Sequence, residues 1–115
     1  MANIKISWPT TNGNSLEFTG YPIDTNFTAG QFGNYIFAKF TNNNNTCLAV
    51  YIGEGDIKDR VADHIKNGCV TKKGATHIFV RINNNEKGRF DDETKLLIGN
   101  PEAYEPNGCN VKKGG

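Results

Sequence analysis

No segment of the chain joins a basic start to an apolar run, and none approaches the apolar length that a bilayer-spanning helix needs. The reading is of a chain with neither signal peptide nor membrane anchor. An excess of charge of one sign is equally missing: 13 Lys and Arg face 12 Asp and Glu, for a net charge of +1. Such a balance supplies almost no long-range attraction for a polyanion, so any nucleic-acid binding has to come from a local patch. Cysteine is sparse. Cys47, Cys69 and Cys109 are an odd number, and none stands at a short metal-ligand spacing from another. That pattern predicts reduced thiols and a cytoplasmic location. In that setting the glycosylation-like triplets Asn26-Phe27-Thr28 and Asn44-Asn45-Thr46 carry no meaning. Repeats, linkers and disordered tracts of domain-dividing length are absent too, and 115 residues suffice for one modest core.

What is present is a sequence of strand and helix patterns. Ile4, Ile6 and Trp8 alternate with polar neighbours, Asn12-Gly13 follows, and Leu16 and Phe18 resume the alternation, which predicts a tight hairpin over residues 3 to 18. Two runs rich in aromatic and β-branched residues, Asn34-Tyr35-Ile36-Phe37-Ala38-Lys39-Phe40 and Cys47-Leu48-Ala49-Val50-Tyr51-Ile52, flank an Asn-rich turn and predict a second hairpin. Ile57, Val61 and Ile65 recur every four residues and mark a helix near 56 to 66, stopped by Gly68. A strand is predicted over 76 to 82 and a helix over 86 to 98, closed by Pro101. The expected fold class is α+β. It comprises a central antiparallel or mixed sheet of about three core strands flanked by helices, with an extra N-terminal β-hairpin. Residues 1–32 form that hairpin extension and its connector, and residues 33–110 the main unit.

Three placements carry chemistry. If the turn centres on Asn43, the simplest antiparallel register sets Tyr35 opposite Tyr51, so two phenols project from one face of the sheet. At about 100° per residue, Arg60 and His64 fall together on one edge of the Ile57/Val61/Ile65 stripe, away from Lys58, Asp59 and Lys66. The plain alternative is a snorkelling arginine and a surface histidine. Glu93 lies three residues after Phe90 and four before Leu97, in the middle of the apolar face of its helix. A carboxylate there needs a cation, a proton or a metal, and Arg89 four residues earlier is the ordinary partner.

The strings Gly33-Asn34-Tyr35 and Tyr51-Ile52-Gly53 resemble the two halves of the GIY-YIG endonuclease signature. Arg60, His64 and Glu93 follow in that family's order, and Tyr104-Glu105-Pro106-Asn107-Gly108-Cys109-Asn110 resembles its closing proline-rich segment ending in asparagine. The resemblance spans Gly33 to Asn110. Gly74-Ala75-Thr76-His77 also looks like a branch of small stand-alone members. The resemblance implies a divalent-metal-dependent endonuclease acting on DNA. One Mg²⁺ or Mn²⁺ would be held by Glu93, with Tyr35 as general base and Tyr51 orienting the water. Arg60 and His64 would sit at the scissile phosphate. Asn110 would be the orienting amide, with Asn100 and Asn107 as alternatives. DNA would be held weakly through phosphates by Lys39, Arg60, Lys72, Lys73 and Arg81.

Three features depart from the family. Asn34 stands where isoleucine is usual, the gap between the two triplets is long, and Glu54, Asp56, Asp59 and Asp63 crowd acidic charge around the expected phosphate site. The acidic crowding weakens affinity for a polyanion, and the near-neutral net charge favours a second reading, a catalytically weak or inactive nuclease-like fold that binds nucleic acid or protein. In a third reading, a plain interaction domain, the tyrosines are packing and Glu93 is half of an ion pair.

Overall fold

The computed structural model describes residues 4–41 and 46–111. Five strands, β1 (Ile4–Pro9), β2 (Ser15–Pro22), β3 (Phe32–Phe40), β4 (Cys47–Asp56) and β5 (His77–Ile82), form one sheet in the order β1-β2-β5-β3-β4. Every pairing is antiparallel. This corrects the expected sheet of about three core strands with an extra hairpin: the sheet has five strands. The N-terminal hairpin is part of the same sheet, because β2 pairs along β5 from Thr19↔Val80 to Pro22↔His77. Close packing enforces that join. A Cβ on Gly20 would lie 2.8 Å from Phe79 Cδ2, so only glycine lets the Phe79 ring lie across the neighbouring strand. Local alternation identifies strands, but it carries no information on which distant strand each one joins.

The helices are α1 (Ile57–Asn67), the short α2 (Cys69–Lys72) and α3 (Glu86–Gly99), followed by a 3₁₀ turn at Pro101–Ala103. Asp56 caps α1 by accepting from the Asp59 amide, and Gly68 ends it at φ +91°. Ile57 and Val61 of α1, with Val70 of α2, pack on the sheet face that carries Tyr35, Phe37 and Ile78. Leu96 of α3 packs on the opposite face against Trp8, Phe18, Ile36 and Phe79.

The apolar stripes rotate relative to expectation. Steps of four residues drift about 40° each around a helix, so by Ile65 the row has turned outward, and that side chain is exposed. His64 takes the inward place instead. On α3, Phe90 and Ile98 are exposed, while Arg89 and Leu96 are buried. Polar contacts set this rotation: Arg89 Nε meets Glu54 Oε1 at 2.9 Å, and Arg81 meets Asp92 at 3.1 Å. Asn34, fully buried, donates to the Arg89 carbonyl at 3.0 Å. The poor strand former in β3 is thus a docking point for α3.

The β3–β4 register differs by two residues from the simplest hairpin. Tyr35 pairs with Gly53 and Phe37 with Tyr51, and the register shifts between Phe37 and Ala38. The expected turn centre, Asn43, lies outside the described residues. Val50 is the extra residue of a bulge. Ala49 and Ile52 face α3, whereas Val50 and Tyr51 both belong to the α1 side. Continued from Ala38↔Ala49 without that bulge, β4 would have turned Tyr51 away from Tyr35.

The free edge of β4 is covered by the chain after α3. The Ala49 amide donates to Glu102 Oε2, the Val50 carbonyl accepts from the Cys109 amide at 2.7 Å, and Asn110 bonds Ile52 in both directions. A disulfide joins Cys69 to Cys109, leaving Cys47 as the free thiol. The expectation of reduced thiols is corrected here. A 40-residue separation gives no sequence cue, and only the fold brings the two sulfurs together.

Candidate functional site

Glycine makes room for the first phenol. The ring of Tyr35 crosses Gly53 on the neighbouring strand, and a Cβ there would lie 2.5 Å from Tyr35 Cζ. Two residues further on, Gly55 adopts φ +131° and faces the stem of Arg60. Both glycines clear the α1 face of β4 for side chains arriving from elsewhere.

Tyr35, Tyr51 and His64 form one cluster. The two phenol rings stack with centroids 6.2 Å apart, and the His64 ring lies 4.1 Å from that of Tyr51. Tyr35 Oη and His64 Nε2 are 3.0 Å apart. Tyr35 is 1% exposed, whereas Tyr51 and His64 are half-buried. Arg60 is exposed at the rim and enters none of the three salt bridges among the described residues.

Glu93 reaches the neighbourhood of Tyr51 from the other side of the sheet. It is half-buried on α3 and lines a cleft of about 600 Å³ with Tyr51, Leu97, Tyr104 and Asn110. Arg89, its expected i,i+4 partner, is turned to Glu54 instead. Among the described residues no three His, Cys, Asp or Glu side chains cluster as a metal site. A cation at Glu93 would have fewer than three such side chains from the described residues and would need water among its ligands, which is a chemistry Mg²⁺ and Mn²⁺ accept.

The environment sets the protonation states. Burial raises the Tyr35 pKa far above that of a free phenol, the neighbouring Tyr51 adds to this, Arg60 opposes it, and Glu93 and Glu54 raise it further. Burial also raises Tyr51, with Glu93 adding and Arg60 opposing. His64 moves the other way: burial and then Arg60 lower its pKa, against the pull of Asp63. At neutral pH the cluster holds two neutral phenols and a neutral imidazole. Burial thus takes Tyr35 away from the phenolate that a general base requires. His64 is the group whose neutral, proton-accepting form is favoured. With the proton on Nε2, His64 donates to Tyr35 Oη and keeps the Nδ1 lone pair.

The remaining sequence candidates are placed differently. Asn110 is 8% exposed, and its amide is engaged on both sides: Nδ2 donates to the Ile52 carbonyl at 3.0 Å, and Oδ1 accepts from the Ile52 amide at 2.8 Å. It fixes the strand that carries Tyr51. Asn100 donates to the Pro9 and Leu96 carbonyls, and Asn107 is exposed. The expected phosphate contacts do not form one patch. Arg81 pairs with Asp92 on the α3 face, Lys39 donates to the Lys73 carbonyl, and Lys73 donates to the Pro106 carbonyl. Tyr104 in the cleft, the Val50 bulge and the Cys69–Cys109 bond were not among the sequence candidates; the unbroken apolar run Cys47-Leu48-Ala49-Val50-Tyr51-Ile52 carries no mark of where a bulge falls. No helix among the described residues is long and apolar enough to cross a membrane. No protein-family model, curated protein or solved structure matches the chain.

Proposed function

We propose that the protein is a phosphodiester hydrolase of GIY-YIG type, a divalent-metal-dependent endonuclease that acts on DNA. The observation carrying this reading is the stacked Tyr35/Tyr51 pair held against His64, with Tyr51 also lining the Glu93 cleft. Hydrolysis needs a proton acceptor for water, a positive charge for the phosphoryl oxygens and support for the leaving group. In this reading His64 accepts the proton, Tyr35 holds the imidazole through its hydroxyl, and the more accessible Tyr51 orients the water. Arg60, which enters no salt bridge among the described residues, neutralises charge on the phosphate. Glu93 would hold Mg²⁺ or Mn²⁺, whose Lewis acidity would stabilise the leaving oxygen.

The second reading is a module that binds nucleic acid or protein with weak or no cleavage, and one observation favours its protein-binding form: Lys39, Lys73 and Arg81 each already have a partner within the fold. One comparison separates the two. Wild type and Glu93→Ala, purified in parallel, are assayed for Mn²⁺ binding and for nicking of supercoiled DNA with Mg²⁺ or Mn²⁺. The hydrolase reading expects nicking by wild type and loss of both cleavage and metal binding in the variant. Cleavage unchanged in Glu93→Ala, or absent from wild type across duplex, branched and single-stranded DNA, refutes it and leaves the binding module.

A further inference from the structure

We propose that the Cys69–Cys109 disulfide is a thiol-responsive lock on the cleft. It holds the chain after α3 against the edge of β4, and its reduction releases that segment while the rest of the sheet stays folded. The lock concerns the conformation of the cleft and does not depend on what the cleft binds.

The geometry of the tail carries the inference. Among the described residues, the bonds that the tail makes to β4 between Ala49 and Ile52 come from Glu102, Cys109 and Asn110. Two of those bonds bracket Tyr51, because Cys109 binds Val50 and Asn110 binds Ile52. The bulge that keeps Tyr51 on the same face as Tyr35 is therefore held by the residue whose sulfur is cross-linked. Cys109 also lines both cavities beside Tyr51: the Glu93 cleft, and a second one of about 300 Å³ with Asp63, His64, Asn67 and Cys69. Neither cysteine is among the buried core residues, and the second cavity gives a small thiol access to the bond. The strands beneath do not depend on it. β3 is paired on both sides, by β4 and β5, and the two cores are built mainly from the strands with α1 or α3, to which the tail adds the small Ala103 and the α2 segment adds Val70 and Ala75.

The chemistry balances with a dithiol as the reductant. A thiolate of the dithiol attacks one sulfur and expels the other as a thiolate, which takes up a proton. The second thiol of the reagent then closes its own disulfide and releases the first cysteine. Cys69 and Cys109 together gain two electrons and two protons, and the dithiol is oxidised.

Hydrogen exchange on the whole protein tests the lock. Amide exchange is compared for the oxidised protein, the dithiothreitol-reduced protein and the Cys69→Ser/Cys109→Ser variant. The Ile52 and Cys109 amides are expected to exchange at least tenfold faster once the bond is open, with amides of β5 such as Phe79 unchanged. Protection at Ile52 that stays within twofold of the oxidised protein overturns the proposal, because the tail then holds without the bond. Protection lost throughout the sheet overturns it as well, because the disulfide is then a general staple. If the serine variant does not fold, the reduced wild-type protein alone decides between these outcomes.

Discussion

Gly53→Ala tests the packing that builds the site. The new methyl would sit 2.5 Å from Tyr35 Cζ and 2.9 Å from Tyr35 Cε1, so the ring must tilt or the strands must part. Tyr35 has little freedom to move, being packed edge-on to Phe37, stacked on Tyr51 and bonded to His64. Forcing one methyl into such a place costs about 1–3 kcal/mol, or a Tm lower by about 4–12 °C for a domain of this size. Urea denaturation followed by far-UV circular dichroism measures the loss. The double variant Tyr35→Ala/Gly53→Ala supplies the control. Removing the ring alone costs about 3–5 kcal/mol, but it also removes the three atoms nearest the new methyl, so the double variant should be more stable than additivity by about 1–2 kcal/mol. Additivity within about 0.5 kcal/mol would refute the crossing of Tyr35 over Gly53.

Two further outcomes follow from the same geometry. Because the folded-state pKa of His64 lies below its ordinary 6.5, the unfolded chain binds that proton more tightly. Its contribution to stability is fully present above about pH 6.5 and is lost as the pH falls from there through the folded pKa; between pH 7.5 and 5 the Tm of wild type should therefore fall more steeply than that of His64→Gln. Arg89→Met leaves Glu54 with a charge and no partner in a mostly buried place, at a cost of about 3 kcal/mol by chemical denaturation, most of which Arg89→Met/Glu54→Leu should recover.

Local patterns made the elements legible. The alternation of Ile4, Ile6 and Trp8 marks β1, and Gly68 stops α1 where its φ requires glycine. The shared face of Tyr35 and Tyr51 was legible only as parity. The hairpin is offset by one residue near its turn and by another at the Val50 bulge, and the two offsets together keep the faces while moving the partners. What local pattern does not encode is the pairing of β2 with β5 and the meeting of Cys69 with Cys109, both set by contacts between distant segments. Glu93 is half-buried and Leu97 packs on the core, in keeping with the periodicity of this helix, but Phe90 does not. Sequence periodicity offered Phe90 as an inward residue, whereas ion pairing of Arg89 and Asp92 with the sheet turns Phe90 to solvent.

The position of β5 has a consequence for how the chain folds. β1 with β2 and β3 with β4 are local hairpins, but among the described residues their strands are hydrogen-bonded into one sheet through β5, which arrives late in the sequence and lies between them. Until His77–Ile82 is in place, β2 and β3 each present a bare edge, and the chain is two unconnected hairpins. Non-local closure of this kind is slow, and the waiting edges can pair with another molecule, so concentration should limit refolding yield. A charge placed on the buried side of β5, at Ile78 for instance, would be felt first as aggregation during refolding and only then as lost stability of whatever folds.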